Sequence, residues 1–340
     1  MSKILLDHLG KDYELIEIDL SKGSTNDGSI TLTRVLYLIS MYLRVFYHSN
    51  KTEKIYLTIS ESIAGNLKDL IFFFILRKKL SDVTIHLHGG SLKSEILKKS
   101  TMLARINRSI YNKIGKIVVL GDSHRSIFPS EIQDKVKVVQ NCVSESFLID
   151  NKSLIKKHKK KNLLRVLFIS SMTSEKGYRT LLDSYNHLSE DIKKYVRFDF
   201  AGGFSKIATE REFLIKIRGL NAIQYHGTVN FQEKKELFNE AHVFCLPTKM
   251  LEGQPISILE AYASGCTVLT SSKPGINDIF TDKINGLHIN ENDAKGLSNT
   301  IEYIYNNWSF FTESSKRNIK HARKFSTAKY LSNIERIIKD

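Results

Sequence analysis

Short apolar runs typical of buried strands alternate along the chain with longer segments whose apolar residues recur at helical spacing. The strand-like runs cover 13–19, 54–59, 83–88, 116–121 and 135–139 in the first half, and 164–170, 196–202, 223–227, 242–247, 266–270 and 286–289 in the second. Helical patterns cover 32–48, 65–79 and 92–114, then 177–188, 207–219, 231–240 and 255–264. Alternation of this kind is typical of parallel sheets covered on both faces. It predicts an α/β protein with two tandem Rossmann-like domains that face a cleft.

A basic, polar segment interrupts the alternation and marks the expected domain boundary. We expect an N-terminal domain over 1–150, a linker over 151–163 and a C-terminal domain over 164–340, whose last helices pack back on the N-terminal domain. The 340 residues carry a formal net charge of +15, and residues 151–165 contain 7 Lys/Arg and no Asp/Glu. This charge run is either simply solvated or attracted to a phosphate-rich partner or an anionic membrane. No aromatic and basic recognition motif accompanies it, so no nucleic-acid partner is expected.

Cysteine usage and the lengths of the apolar runs indicate the compartment. Cys142, Cys245 and Cys266 are an odd number without a C-x-x-C pair, which argues against a disulfide framework and against a zinc site. The longest apolar stretches, at 35–43 and 70–77, fall short of the roughly 18 residues that span a bilayer. No signal-peptide pattern is present at the N-terminus. We therefore expect a cytoplasmic protein.

The stretch LEGQPISILEAYASG predicts a short helix from Pro255 to Ser264. Proline is tolerated at a first helical position, and Gly265 is placed to close the helix in the left-handed conformation. The backbone N–H groups of Ile256 and Ser257 would then lack helical partners at the positive end of the helix dipole. The pattern predicts a site for an anion such as a diphosphate.

Polar residues also follow two other predicted strands. Lys176 lies in SMTSEKG after one strand of the second half, and His88 is followed by Gly89 and Gly90 after a strand of the first half. Ligands of parallel α/β sheets bind beyond the carboxyl ends of the strands. We therefore expect these residues and the start of the 255–264 helix to open toward one cleft.

Several of these segments, taken together and in order, resemble the retaining nucleotide-sugar glycosyltransferases of family 4, which have the GT-B fold. The donor motif is similar to EGQPISILE, with Glu252 and Glu260 separated by seven residues. Further similarity lies in FISSMTSEKGYRTLLDSY, HGTVNFQEKKELFNEAHVFCLPT, AYASGCTVLTSSKPGINDIF, HLHGG and KVVQNCV. The resemblance covers nearly the whole chain from about residue 10 and implies a polysaccharide-biosynthesis type of enzyme.

The resemblance implies roles for the residues of the donor side. Glu252 would accept hydrogen bonds from the donor sugar, Glu260 would bind the ribose hydroxyls, and Lys176 would pair with the diphosphate. The alternatives are an exposed helix residue for Glu260 and an ordinary surface charge for Lys176. Donor contacts are also expected from Gly253, Gln254, Ile256, Ser257 and Ser171. Lys176 and the helix start would stabilise the leaving diphosphate.

On the acceptor side, His88 matches the family's strand-end histidine near the donor sugar. Its alternative is a histidine satisfied within the core, as we expect for His86. Gly89 and Gly90 would allow a ligand to approach the backbone closely. Asn141 matches a strand-end asparagine, for which we expect an architectural role.

The chain departs from the family pattern in two places. Ser171 stands where the family usually has an arginine for the diphosphate. Family members open with an apolar strand and a glycine-rich loop ahead of their first helix, so we expect either that this chain is truncated there or that residues 21–29 partly replace the loop. No D-x-D motif of the metal-dependent type is found, so we expect neither a metal nor another cofactor. The partners implied are a nucleotide sugar and a glycan or lipid-linked acceptor; the alternative is a binding protein of the same fold without turnover.

A basic amphipathic pattern follows His88. Between residues 91 and 116 the chain carries seven basic residues against Glu95, with Leu103, Ile106, Ile110 and Ile114 at helical spacing. Such a helix can lie on an anionic membrane, which would make the protein peripheral on the inner face of the membrane. The alternative is that the same apolar stripe faces the core of its own domain.

Overall fold

The computed structural model describes residues 2–19, 32–98, 101–159 and 163–339. The chain divides into two compact units. Unit 1 comprises Met1–Gln140 together with Ala328–Asp340, and unit 2 comprises Asn141–Thr327. Each unit has its own parallel sheet and its own apolar core.

In its described residues, unit 1 is built on a four-stranded parallel sheet in the order β1-β2-β3-β4. The strands are β1 (Ile55–Ile59), β2 (Val83–Leu87), β3 (Lys116–Val119) and β4 (Val136–Val138). The helices are α1 (Ser2–Leu9), α2 (Leu32–Ser49), α3 (Ile63–Ile75), α4 (Thr101–Tyr111) and, from the end of the chain, α14 (Thr327–Lys339). Val83, Ile85 and Leu87 are fully or almost fully buried, because helices cover both faces of the central strands.

Two predictions for unit 1 are wrong. Residues 13–19, all of them described, form no strand, and their side chains are largely exposed. The helix predicted over 92–114 is replaced by a π-helical turn at Lys93–Leu97 and the separate helix α4. The segment 13–19 lies beside α2 instead, where the backbone oxygens of Glu17 and Asp19 accept hydrogen bonds from Arg44 and Tyr37. The segment 21–29 lies outside the described residues.

Within the described residues, unit 2 has a six-stranded parallel sheet in the order β10-β9-β8-β5-β6-β7. The strands are β5 (Leu164–Ile169), β6 (Val196–Ala201), β7 (Ile223–Tyr225), β8 (Val243–Leu246), β9 (Thr267–Thr270) and β10 (Gly286–His288). The helices are α5 (Asn151–Lys159), α6 (Tyr178–His187), α7 (Glu190–Lys193), α8 (Ile207–Ile217), α9 (Phe231–Glu240), α10 (Ile256–Ala263), α11 (Pro274–Asn277), α12 (Ala294–Asn306) and α13 (Trp308–Ala322). Each strand predicted for this half is present, with ends that differ by one or two residues.

The predicted linker and domain ends differ from the structure. Residues 151–159 form helix α5 within unit 2, and the units divide after Gln140. Lys157 on α5 is buried and donates to the backbone oxygens of Ser264 at 2.6 Å and Phe238 at 3.0 Å. A lysine that closes a helix end in this way is structural, not part of a solvated charge run. Residues 328–340 belong to unit 1 instead of the C-terminal domain predicted for 164–340.

The length and hydropathy of a helix decide whether it could span a membrane. No helix within the described ranges is both long enough and apolar enough to cross a bilayer.

Candidate functional site

The order of strands in unit 2 fixes where a ligand site is expected. The chain runs from β5 outward through β6 to β7 and then returns to the other side of β5 with β8. Adjacent strands whose connections leave in opposite directions form a switch point, where open α/β sheets bind ligands beyond the carboxyl ends. The loops that follow β5 and β8 carry Lys176 and Glu252, so these two predicted residues lie at the switch point.

The loop after β5 is held close to the loop after β8. Residues Ser174–Lys176 form a single 3-10 turn, and Gly177 follows in the left-handed conformation at φ 85°. A Cβ atom at Gly177 would lie 1.9 Å from the backbone oxygen of Pro247, so only glycine allows this approach. The backbone N–H of Lys249 donates to the oxygen of Glu175 at 2.7 Å. The two loops therefore form one rigid rim.

Glu252 is buried at this rim, where two side chains hold its carboxylate. Lys176 Nζ lies 2.7 Å from Oε1 and 2.8 Å from Oε2, and the Thr248 hydroxyl donates to Oε1 at 2.7 Å. A cation shared between both oxygens fixes the carboxylate in one orientation. The two residues predicted to bind different parts of the donor are thus in direct contact.

Helix α10 begins beside Glu252. Its first residue is Ile256, one residue later than predicted, because Pro255 is the N-cap with an extended ψ of 115°. Among the described residues the N–H groups of Ile256 and Ser257 have no acceptor, whereas that of Ile258 donates to Pro255. The helix ends before Gly265, which has the predicted positive φ, here 68°. Its N-terminus therefore offers two donors to an anion.

Glu260, one turn into α10, is not an exposed helix residue. Its side chain is buried, and Oε1 accepts a hydrogen bond from Lys234 Nζ on α9 at 2.6 Å. Burial raises the pKa of the Glu260 carboxyl, and the nearby Lys234 partly opposes this shift. The Lys234 ammonium also lies over the ring of Phe147, 5.3 Å from its centre. The ion pair with Lys234 therefore holds the Glu260 carboxylate at a buried position near an aromatic ring.

The remaining predicted donor residues occupy different environments. Gln254 is buried, and its Oε1 and backbone oxygen accept from the backbone N–H and the side-chain amide of Asn141. This contact joins the start of unit 2 to the loop before α10. Such a contact fits the architectural role predicted for Asn141. Gly253 is buried next to Gln254, and Ser171 is exposed in the loop after β5.

In unit 1, His88 follows β2 directly. Its ring lies 3.9 Å, between ring centres, from that of His86, which is fully buried and bonded through Nδ1 to the hydroxyl of Tyr56. Burial lowers the pKa of His88 to about 4 from its ordinary value of 6.5, and burial also lowers the pKa of His86. His88 is therefore a neutral, half-buried imidazole at pH 7.

Glu61, at the end of β1, occupies the space beside Gly89. A Cβ atom at Gly89 would lie 1.7 Å from the Glu61 carboxylate. Glu61 Oε1 accepts from the backbone N–H groups of Ser91 at 2.7 Å and Leu92 at 3.0 Å. Gly89 thus makes room for a side chain of the same unit, in place of the close ligand approach that was predicted. Gly90 continues the same loop, half-buried.

The apolar stripe of the predicted membrane helix faces its own core. Ile114 is fully buried, and Leu103 and Ile110 pack against the core of unit 1. Only Ile106 is exposed among the four positions. The alternative interpretation of this stripe is therefore the correct one.

Sequence analysis missed three residues of these sites: Thr248, Lys234 and Glu61. Thr248 is a polar residue directly after a buried strand, and Glu61 stands two residues after one, so strand-end position could have indicated both. Lys234 lies in a helix rich in charges, FQEKKELFNE, and no spacing distinguishes it from its neighbours. Its contact with Glu260 depends on packing between two helices.

Comparison with solved structures identifies the fold. The structure of the Anabaena protein HepE in complex with UDP superposes with a TM-score of 0.71 and 15% sequence identity, over 88% of this chain and 82% of that one. Sucrose-phosphate synthase from Thermosynechococcus elongatus also has a TM-score of 0.71, at 13% identity, over 90% of this chain and 78% of that one. With its two parallel sheets, the chain has the GT-B fold of glycosyltransferases.

Sequence comparison then gives the family. The family described as Glycosyl transferases group 1 matches residues 150–325, more than half of the chain, and the chain belongs to it. An uncharacterized glycosyltransferase of Methanocaldococcus jannaschii is 23% identical over 318 residues, which are 87% of this chain and 79% of the relative. The N,N'-diacetylbacillosaminyl-diphospho-undecaprenol alpha-1,3-N-acetylgalactosaminyltransferase of Campylobacter jejuni is 24% identical over 67% of this chain and 56% of its own length. The predicted glycosyltransferase assignment is confirmed.

Proposed function

We propose that the protein transfers a sugar from a nucleotide-diphosphate donor to a carbohydrate or lipid-linked acceptor, with retention of the anomeric configuration, in surface polysaccharide or glycan biosynthesis. The observation that carries this proposal is the group at the switch point of unit 2: Lys176, Glu252 and the first turn of α10. A cation, a carboxylate and two backbone donors at one place suit a ligand with a diphosphate next to a polyol.

The diphosphate would bind to Lys176 and to the N–H groups of Ile256 and Ser257. Negative charge grows on the diphosphate as its bond to the sugar breaks, and fixed donors stabilise that charge without reorganisation. No metal ion is needed in this proposal, because the ammonium group and the helix end meet the charge of the diphosphate. Ser171 supplies no positive charge, so the role of Lys176 is larger than in relatives with an arginine there.

The sugar and the ribose would bind to different carboxylates. Glu252 would accept hydrogen bonds from the sugar hydroxyls. The hydrogen bond from Thr248 to Oε1 would keep its carboxylate in a fixed orientation for this contact. Glu260 would bind the ribose through Oε2, while Oε1 stays with Lys234. Gly253 and Gln254 would complete the wall between these carboxylates. The UDP complex of HepE supports a uridine donor.

The acceptor would bind to unit 1, where His88 offers a neutral imidazole. A groove of about 660 Å³ in this unit has the cationic side chains of Lys93, Lys98 and Arg108 beside the apolar Leu97 and Phe128. Cations next to an apolar wall suit a phosphate attached to a lipid. The Campylobacter relative, named for a diphospho-undecaprenol substrate, supports an acceptor of this type. The protein would then work in the cytoplasm, on the inner face of a membrane.

A non-catalytic nucleotide-sugar or glycan-binding protein is the second candidate. It is favoured by Ser171 at the place of the family's arginine. The two candidates separate when binding and turnover of UDP-, GDP- and ADP-sugars are measured on the same preparation. We expect one UDP-sugar to be bound and to be hydrolysed or transferred, with the α-anomer retained in the first product seen by NMR. Binding without release or transfer of sugar from any donor would favour the binding protein.

A further inference from the structure

Helix α2 exposes an apolar stripe on the side that does not face its own core. Met41 is buried in unit 1 and Val45 packs against the core. The exposed stripe lies nearly half a turn away and follows the spacing 4, 3, 4, 3; it consists of Leu32, Leu36, Ile39, Leu43 and Phe46. Leu43 and Phe46 are each 63% exposed. The helix thus carries a second apolar face that the described residues leave uncovered.

Helix α3 exposes a similar stripe next to it. Ile63, Leu67, Ile71 and Phe74 recur at helical spacing, with exposed fractions of 50%, 52%, 46% and 67%. The two helices pack against each other, because the rings of Tyr42 and Phe72 lie 4.8 Å apart and the Tyr42 hydroxyl contacts the Lys68 oxygen. We call the two stripes together the α2/α3 face. Exposed apolar groups on adjacent helices of one unit mark an interaction surface.

The charges around the α2/α3 face are predominantly positive, with Glu53 as an exposed acid two residues after Lys51. In the described parts of both helices the only acid is Asp69, which is fully buried. Arg44 is exposed on α2, and Lys51, Arg77 and Lys78 are exposed just beyond the helix ends. The Lys51 ammonium lies over the Tyr47 ring at 4.4 Å, and the Arg77 guanidinium lies over the Phe74 ring at 4.8 Å. Aromatic rings with cations above them suit the boundary between lipid tails and headgroups.

We propose that the α2/α3 face docks on an anionic membrane surface. The inference builds on the proposed function, because a lipid-linked acceptor requires the enzyme to work at a membrane. A second copy of the chain is a poorer occupant. Two copies joined through this face would bring an excess of cations together, since the exposed Glu53 stands against Arg44, Lys51, Arg77 and Lys78. An anionic headgroup layer supplies the missing charge.

The proposed membrane-docking surface, the α2/α3 face, differs from the surface that the sequence pattern predicts, which is the helix over 92–114. The helix predicted over 92–114 uses most of its apolar stripe for the core, and of its described apolar side chains only Met102 and Ile106 are exposed beside its cations. The α2/α3 face provides an apolar surface in addition to the core contact of both helices. Variants of the two regions therefore separate the two possibilities.

Vesicle co-sedimentation of the full chain tests the proposal. The vesicles contain either phosphatidylcholine alone or a 7:3 mixture with phosphatidylglycerol, as about one-third anionic lipid gives a strong surface potential. We expect at least tenfold tighter binding to the anionic vesicles, weakened by salt. The double variant Leu43→Glu plus Phe46→Glu should bind at least tenfold more weakly than the wild type. Lys93→Glu plus Lys98→Glu should have the smaller effect.

The matched control is Ile207→Glu plus Ile215→Glu on α8 of unit 2. These isoleucines are 71% and 65% exposed, so the control adds the same two charges at exposed apolar positions elsewhere. It should bind vesicles like the wild type. Equal binding of the wild type to both kinds of vesicle, no binding at all, or a Leu43/Phe46 variant that binds like the control would overturn the proposal. A wild-type dimer in light scattering that the Leu43/Phe46 variant converts to monomers would assign the face to a second copy instead.

Folding and function are controlled separately. Near-UV circular dichroism and UDP titration of each variant show whether both units remain folded. If the vesicle results hold and no UDP-sugar is turned over, the proposed function fails while the docking surface stands. If turnover of a UDP-sugar is found with equal binding to both vesicles, only the docking surface fails.

Discussion

At the scale of single residues, two lysine–glutamate pairs form the proposed donor side. Lys176 holds Glu252, and Lys234 holds Glu260, each with an Nζ–Oε1 distance below 3 Å. In each pair the lysine fixes a carboxylate that the proposed function assigns to a sugar hydroxyl. The glutamates could be predicted from the family resemblance of EGQPISILE, whereas their lysine partners could not be paired with them, because the contacts cross between loops or helices far apart in sequence.

Replacing Glu260 by Gln tests the ribose contact. We expect Glu260→Gln to weaken UDP binding by roughly tenfold or more, since a charged acceptor of a hydroxyl is lost, which corresponds to about 1.4 kcal/mol. Isothermal titration calorimetry with UDP measures the change. The control is Glu236→Gln, an exposed glutamate on the same helix as Lys234. Unchanged UDP affinity in Glu260→Gln would remove Glu260 from the nucleotide site.

The buried histidines of unit 1 predict a pH dependence of stability. Because burial lowers the pKa of His88 to about 4, the unfolded chain binds a proton near pH 6.5 that the folded chain does not bind. Stability should therefore decrease as the pH falls from about 6.5 toward 4, by up to about 3 kcal/mol from this residue. Denaturant unfolding at pH 7.5 and pH 5 measures the loss, which should be smaller in His88→Asn. An equal loss in both proteins would mean that His88 is not buried as a neutral ring.

At the scale of elements, the sequence pattern identifies strands better than boundaries. Ten of the eleven predicted strands are present in the two parallel sheets, and six of them are interior strands, where a continuous apolar run is buried on both faces. The pattern fails at 13–19 and at 92–114. In the first case the segment lies beside α2 instead of extending the sheet, and in the second a π-helical turn breaks a continuous helical pattern. Neither outcome depends on local sequence alone.

The close contact between Gly177 and the loop after β8 predicts a loss of stability on substitution. Comparison with Gly219 separates the cost of this contact from the cost of the left-handed φ. Gly177→Ala should lower the free energy of unfolding by about 1 kcal/mol for the left-handed φ, and by about 2 kcal/mol more because the oxygen of Pro247 must move. Gly219→Ala is the matched control, with φ 80° and no atom within 4 Å of the added methyl group. Thermal unfolding and UDP-sugar turnover measure both variants. If the two lose equal stability, the contact between the two loops is not close.

At the scale of the whole molecule, the chain leaves unit 1 after Gln140 and returns to it at Ala328. The last helix, α14, buries Tyr330, Ile334 and Ile337, and the Lys116 ammonium donates to the Ile337 oxygen at 2.6 Å. A final helix that packs back was predictable from the family resemblance. The position of the division at residue 140 was not, since the basic segment that interrupts the hydrophobic pattern forms a helix with a buried lysine.

Removal of residues 328–340 tests this arrangement. The deletion should lower the stability of unit 1 by roughly 5 kcal/mol, because three large buried side chains are lost. Unit 2 should keep its UDP affinity, since its core and donor residues lie within Asn141–Thr327. Differential scanning calorimetry with and without UDP should show one transition shifted to lower temperature and one that UDP still stabilises. An unchanged thermogram would contradict the assignment of α14 to unit 1.

The central claim is that Glu252, held by Lys176 and Thr248 at the switch point, acts on the sugar of a nucleotide-sugar donor. The most direct measurement compares Glu252→Gln with the wild type in two assays, UDP affinity and the initial rate of sugar release or transfer from the UDP-sugar that the wild type prefers. We predict that UDP affinity changes by less than about threefold and that the rate falls by roughly a hundredfold or more, about 2.7 kcal/mol of transition-state stabilisation. A variant that turns over at the wild-type rate would contradict the account.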